Sequence, residues 1–183
     1  LNHFTELFTA IQNKQALIIN YKGFKQKDSS KFIIHPWYLK QFNNRWFLFG
    51  FNEQYQSLSN LAIDRIISIQ EAKVNFIPNT DINFEDYFDD VVGVSVKSGA
   101  SSEKVVLKIS KEVWPYIESK PLHGSQKLKS KTDTYVQIEL NVQINHELMA
   151  LLFSYMDAIE IIEPQDLRHR FKTIAEMVYY KYI

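Results

Sequence analysis

The sequence predicts an α+β protein of two modules, and three observations carry that prediction. Residues 16–71 hold five β-rich segments with no long helical stretch between them, which points to a small, strongly bent barrel behind a leading helix. The second half alternates in the order βαββαβ and then α, the ferredoxin-like arrangement of a four-stranded antiparallel sheet covered by helices on one face. Between them lies a run of acids. With 183 residues the chain has room for two cores, expected at 1–78 and 101–183 with an acidic linker at 79–100.

The elements follow in order. Phe4, Leu7, Phe8 and Ile11 recur at helical spacing, so residues 2–14 are expected as a short amphipathic helix. ALIINY (16–21) is β-rich, GFKQKDSS is a polar turn, and KFIIHPWYLKQF and RWFLFGF are strong strands. Asn43-Asn44 between them both tolerate positive φ, which suits a two-residue hairpin turn. In the second of these strands Trp46, Leu48 and Gly50 share one face and Phe47, Phe49 and Phe51 the other. Both faces must be covered, one by the barrel interior and one by the leading helix or a partner surface. LSNLAI and IISIQ complete the five strands.

NTDINFEDYFDD (79–90) reads as the acidic linker, continued by VVGVSVKSGASS. Beyond it VVLKIS is a strand and KEVWPYIESK a helix whose early Pro115 fits a first turn. SQKLKSK and TYVQIELNV flank Thr132-Asp133 as a hairpin, INHELMALLFSYMDA is a helix, IEIIEP a strand, and LRHRFKTIAEMVYYKY a closing helix.

Basic and acidic residues both number 21, so the whole chain has no net pull toward nucleic acid or anionic membrane. Its distribution is uneven: residues 1–80 carry nine basic and five acidic groups (net +4), 81–100 one and five (net −4), and 101–183 eleven of each. Cysteine is absent, which removes disulfides, thiolate metal sites and cysteine nucleophiles. No stretch approaches the ~20 apolar residues of a membrane span, and none reads as a leader, so a cytoplasmic protein without membrane contact is expected. The chain opens on Leu1 rather than Met, so further sequence upstream is expected.

Residues of catalytic type do not assemble into a motif. His3, His35, His123, His146 and His169 are scattered, and Ala150 stands where a second zincin histidine would follow His146-Glu147. VGVSV around Ser95 lacks the second glycine of a nucleophile elbow. Glu85-Asp86 and Asp89-Asp90 read as a solvated run. No enzymatic activity, catalytic residue, metal or cofactor is therefore expected. Polar groups bordering the aromatic hairpin are Tyr21, His35, Arg45, Ser59 and Arg65, the candidate ligand contacts if they converge on one barrel mouth. Lys127, Lys129 and Lys131 recur every second residue and would project from one strand face as an anion track; lysines also blunt an edge strand against aggregation. Arg168 opens the last helix, an end unfavourable to cations unless they meet an anion.

The ordered pattern LIINY, HPWYLK, NRWFLFGF and LSNLAIDRI, from Leu7 to about Val92, resembles the WYL domain of bacterial transcriptional regulators. Residues from about Val105 to Tyr182, with EPQDLR before the last helix, are similar to the C-terminal extension often attached to it. The family tripeptide follows the hairpin turn and falls on Trp46-Phe47-Leu48, not on the literal Trp37-Tyr38-Leu39. The resemblance implies a five-stranded Sm-like (SH3-type) barrel that senses a ligand such as a nucleotide or single-stranded nucleic acid, with Tyr21, His35, Arg45 and Arg65 as contacts. It further implies a ferredoxin-like extension involved in dimer contacts and a winged helix-turn-helix upstream that binds DNA. One departure matters. Ser59-Asn60-Leu61-Ala62 stands where the family often has Arg-x-Phe-Arg, which favours a smaller or less charged effector. The expected function is the ligand-sensing and dimerisation region of a transcription regulator, working as a homodimer; the alternative is a purely structural oligomerisation module.

Overall fold

The aromatic hairpin folds around Asn43 and Asn44, whose φ values of 51° and 61° give the paired left-handed conformation of a type I′ turn. That turn joins β2 (Ser30–Phe42) to β3 (Arg45–Asn52), with Phe42 opposite Arg45. The computed structural model describes residues 2–183 and divides the chain into two units, Leu1–Phe84 and Glu85–Ile183. The first holds α1 (Phe4–Gln12), β1 (Leu17–Tyr21), the hairpin, β4 (Ser57–Ala62), a 3-10 turn at Ile63–Arg65 and β5 (Ile66–Glu71). Its five strands form one antiparallel sheet in the order β4-β3-β2-β1-β5.

Pairing register decides which residues face the core. Leu17 lies opposite Ile34, Ile19 opposite Phe32, and Leu48 opposite both Leu39 and Leu61. These side chains pack with Leu7 and Ala10 of α1 into one cluster, each large one contributing roughly 1.5–3 kcal/mol by leaving water. The ring of Phe4 meets Trp46 edge-on at 4.7 Å. Phe8, expected on the buried face of this helix, is 49% exposed, and Ala10 takes the inward position instead. The small alanine lets the helix axis approach the sheet.

Pro36 sits in β2, a strand with neighbours on both sides, where a missing N–H is normally disruptive. The register shifts beside it, leaving Trp37 outside the pairing, so the irregularity absorbs the proline. On the sheet face opposite the core, His35 pairs with Phe51 and Tyr38 with Phe49. The leading helix does not cover this face. A strap after β5 does: Phe84 stacks on Tyr38 at 4.7 Å, Phe76 meets His35 edge-on at 5.7 Å, and Trp37 Nε1 donates to the Ile77 carbonyl.

The second unit runs β6 (Glu103–Ser110), α2 (Trp114–Ser119), β7 (Lys127–Lys131), β8 (Tyr135–Val142), α3 (His146–Phe153), a 3-10 turn at Met156–Ala158, β9 (Ile159–Glu163) and α4 (Gln165–Tyr179). Its antiparallel sheet has the order β7-β8-β6-β9. Val105, Leu107 and Ile109 lie opposite Leu140, Ile138 and Val136, all six buried on one face with Trp114, Ile117, Leu148, Leu152 and Leu167. Of the stretch read as an acidic linker, Phe84 belongs to the first unit, while Phe88, Val91, Val92 and Val94 are buried in the second. Asn145 holds that part down: its Oδ1 caps α3 by accepting from the Leu148 N–H, and its Nδ2 donates to the carbonyls of Val92 and Ser95.

Candidate functional site

At the end of β1 the pairing with β5 shifts between Asn20 and Tyr21, so Tyr21 comes opposite Ile66 and the Lys22 N–H donates to the Arg65 carbonyl at 3.2 Å. This irregularity sets the Asp64-Arg65-Ile66 turn beside the polar β1–β2 connection. The Arg65 guanidinium lies 4.2 Å from the ring centre of Phe24, a cation–π arrangement on a ring that is 75% exposed. Its Nε is buried with no hydrogen-bond partner, and among the described residues no carboxylate pairs with it. Tyr21 and the exposed Tyr55 lie on either side of Phe32, each ring 6.4 Å from that of Phe32, which is itself buried in the core. Lys22, Lys25 and Lys27 lie in the same connection as Phe24. A guanidinium without a counter-ion beside accessible rings can stack on a planar group and hold an anion.

Tyr21 and Arg65 are thus brought together; the other three candidates are not. Arg45 opens β3 and its Nε contacts Asp64 Oδ2 at 3.2 Å, lining a separate cleft of about 280 Å³ with His3, Trp46 and Ile63. Such a half-exposed ion pair contributes little to stability, about 0–1 kcal/mol, but it occupies the cation. Ser59 is half-buried opposite Gly50, on the sheet face away from His35.

His35, expected at a barrel mouth, is completely buried. The Ile77 N–H donates to its Nδ1 at 3.0 Å, which leaves the ring hydrogen on Nε2 to be donated to Glu53 Oε1 at 2.9 Å. Both ring nitrogens are committed to the protein, so His35 offers nothing to a ligand while the strap is in place.

The lysine track of the second unit does not survive the register. Lys127 pairs with Glu139, but the pairing shifts between Leu128 and Ser130, and Lys131 then pairs with Val136. Because Glu139 and Val136 point to opposite faces of β8, Lys127 and Lys131 do too, and Lys129 reaches Glu139 at 3.1 Å. Arg168 meets its anion within the chain: Glu160 Oε1 lies 3.0 Å from one terminal nitrogen, and the other donates to the Ile161 carbonyl. The Arg168 hydrogen bond, with Lys108 nearby, holds the Glu160 carboxyl below its usual range.

Phe24, Glu53 and Tyr55 were not singled out from the sequence. A lone aromatic inside the polar run GFKQKDSS was a usable signal for Phe24, because an apolar ring in a solvated turn has no core to fill. Glu53 and Tyr55 carried none. No group of His, Asp or Glu among the described residues could hold a metal, and no helix among them is long and apolar enough to cross a membrane.

Comparison with known proteins gives two family matches. The WYL domain model matches residues 2–71 and the WCX domain model residues 101–178. No curated protein matches the chain. Among solved structures it is similar to proteasome accessory factor B/C (PafBC) of Arthrobacter aurescens, at 17% identity and a TM-score of 0.44, over 92% of this chain and 25% of that one. It is also similar to a CRISPR Cas-related protein, at 10% identity and a TM-score of 0.48, over 97% of this chain and 50% of that one. The chain spans a quarter and a half, respectively, of the lengths of those two proteins.

Proposed function

From the membership of this chain in the WYL-domain family, with a WCX domain behind the WYL domain, we propose that it senses a planar anionic effector, a nucleotide or short single strand, for a transcription regulator. The observation that carries the reading is Arg65, a cation with a buried unpartnered Nε set against the exposed ring of Phe24. Tyr21 and Tyr55 extend the stacking surface, and the lysines of the β1–β2 connection supply charge. Base stacking on aromatic rings contributes roughly 1–3 kcal/mol per base. The missing family arginines at Ser59–Ala62 weaken the case for an oligonucleotide and favour the smaller, less charged mononucleotide. The regulator would work in the cytoplasm as a homodimer, its effector shifting the DNA affinity of a helix-turn-helix domain carried upstream. The barrel and ferredoxin-like readings are part of this proposal; continuous pairing from β5 through β4 supports the first, and the order β7-β8-β6-β9 with a helix in each crossover supports the second.

A panel of nucleotides and short oligonucleotides, screened by thermal shift and fluorescence anisotropy, tests the reading. Binding should weaken about tenfold or more in Arg65→Ala, which removes a charge-assisted contact, and less in Phe24→Ala. If no probe raises the melting temperature of the wild-type chain, sensing at this patch is wrong.

A second reading, an oligomerisation module without effector, is favoured by the outer half of α4. Ile174, Met177 and Val178 are exposed on a helix whose only fully buried residue is Leu167. That reading expects a constitutive dimer indifferent to changes at Arg65.

A further inference from the structure

We propose that Glu53 and His35 link the effector patch to the strap at Phe76–Ile77, so that displacement of the β3–β4 turn releases that segment. The inference rests on the sensing function proposed above and adds how occupancy is transmitted. The turn is internally braced. Asn52 Oδ1 accepts from the N–H groups of Gln54 and Tyr55, and Gln56 Nε2 donates to the Glu53 carbonyl at 2.6 Å. Tyr55, whose ring lies against Phe32, and Glu53 therefore move together.

Glu53 Oε1 is 2.9 Å from His35 Nε2, and His35 Nδ1 is 3.0 Å from the Ile77 nitrogen. The imidazole is a rigid spacer wedged between Phe51 and Phe76, at 6.0 and 5.7 Å. With Nδ1 fixed as acceptor, Nε2 must donate. If Glu53 withdraws, that N–H is left buried without a partner, an unfavourable state that the ring relieves by turning and dropping the Ile77 N–H. The Trp37 bond to the Ile77 carbonyl and the stacking of Phe84 on Tyr38 are unaffected, so the release is confined to the Phe76–Ile77 segment. Two discrete hydrogen-bond arrangements of one strap make an element whose equilibrium a ligand can bias.

Hydrogen exchange at the Ile77 amide of the whole chain reads the link in two ways. Without any ligand, Glu53→Ala should speed that exchange about tenfold, the loss of one hydrogen bond to a charged group, and leave the amides of β1 and β8 unchanged. Gln56→Gly, which frees the turn at an exposed position with positive φ, should speed it in the wild-type background and add nothing in Glu53→Ala. Unchanged Ile77 exchange in a folded Glu53→Ala protein overturns the link. With a saturating short oligothymidylate, exchange at Ile77 should shift in the wild type. In Glu53→Ala the probe should bind as tightly and shift nothing; an equal shift in both overturns the link. If the oligothymidylate fails to bind the wild type, that probe counts against the sensing reading, and the ligand-free comparison still decides the link.

Discussion

Gly50 shows how a single residue holds the hairpin together. A Cβ at this position would run into the carbonyl oxygen of His35 and press on Ile34 Cγ2 at 3.0 Å. Both neighbours belong to the facing strand, which cannot retreat without breaking the ladder beside Pro36. Gly50→Ala is therefore expected to destabilise the protein by about 3 kcal/mol through overpacking, read as a lower urea midpoint at unchanged slope. His123 carries the pH dependence at this scale. Its Nδ1 accepts from the Ser125 N–H at 3.1 Å, and burial pushes its pKa below the ordinary 6.5, against the opposing pull of Asp90 and Asp89. The unfolded chain takes up a proton near 6.5 that the folded chain refuses, so the contribution is present above that pH and is lost as pH falls through the folded value. The melting temperature of the wild type should fall on acidification below 6.5 more steeply than that of His123→Gln.

At the scale of elements, α3 and the strand β7 illustrate how one residue fixes a segment. Asn145 both caps the helix and grips residues 92–95. Asn145→Ala should cost about 2–3 kcal/mol, a lost cap plus two carbonyls deprived of a donor. Asn145→Asp keeps the cap but sets an acceptor-only oxygen against the carbonyls of Val92 and Ser95, and should cost at least as much in the same denaturant titration. Strand β7 is exposed throughout and lies at the sheet edge, where alternating lysines discourage pairing with other chains. The periodicity of its lysines was legible in the sequence. The register shift after Leu128 was not, because it depends on how β8 presents its own side chains.

For the molecule as a whole, the sequence reads as two modules from the cluster of apolar strands in the first half and the βαββαβ order in the second. The stretch read as a linker instead buries Phe88, Val91, Val92 and Val94 in the second unit. Local backbone preference alone placed the turn at Asn43-Asn44. The strap was less visible: Phe76, Ile77 and Phe84 sit in an irregular, partly acidic stretch with no period to mark which face they cover. Recognition of the site was similarly divided. Tyr21 and Arg65 were named from the sequence, but their company, Phe24 and Tyr55, comes from two different turns.

What the sequence by itself determined is local or periodic: helix and strand identity, the hairpin turn, the absence of cysteine chemistry, and the family pattern running through LIINY, NRWFLFGF and DRI. These depend on backbone preference and side-chain spacing within a few residues. Only the tertiary structure decided that His35 is sealed between Glu53 and Ile77, that Arg45 is taken by Asp64 while no carboxylate among the described residues pairs with Arg65, and that Lys127 and Lys131 face apart. Each of those outcomes turns on a register shift or a contact between residues distant in the chain. A one-residue shift reverses the direction of a side chain, and no local pattern encodes it.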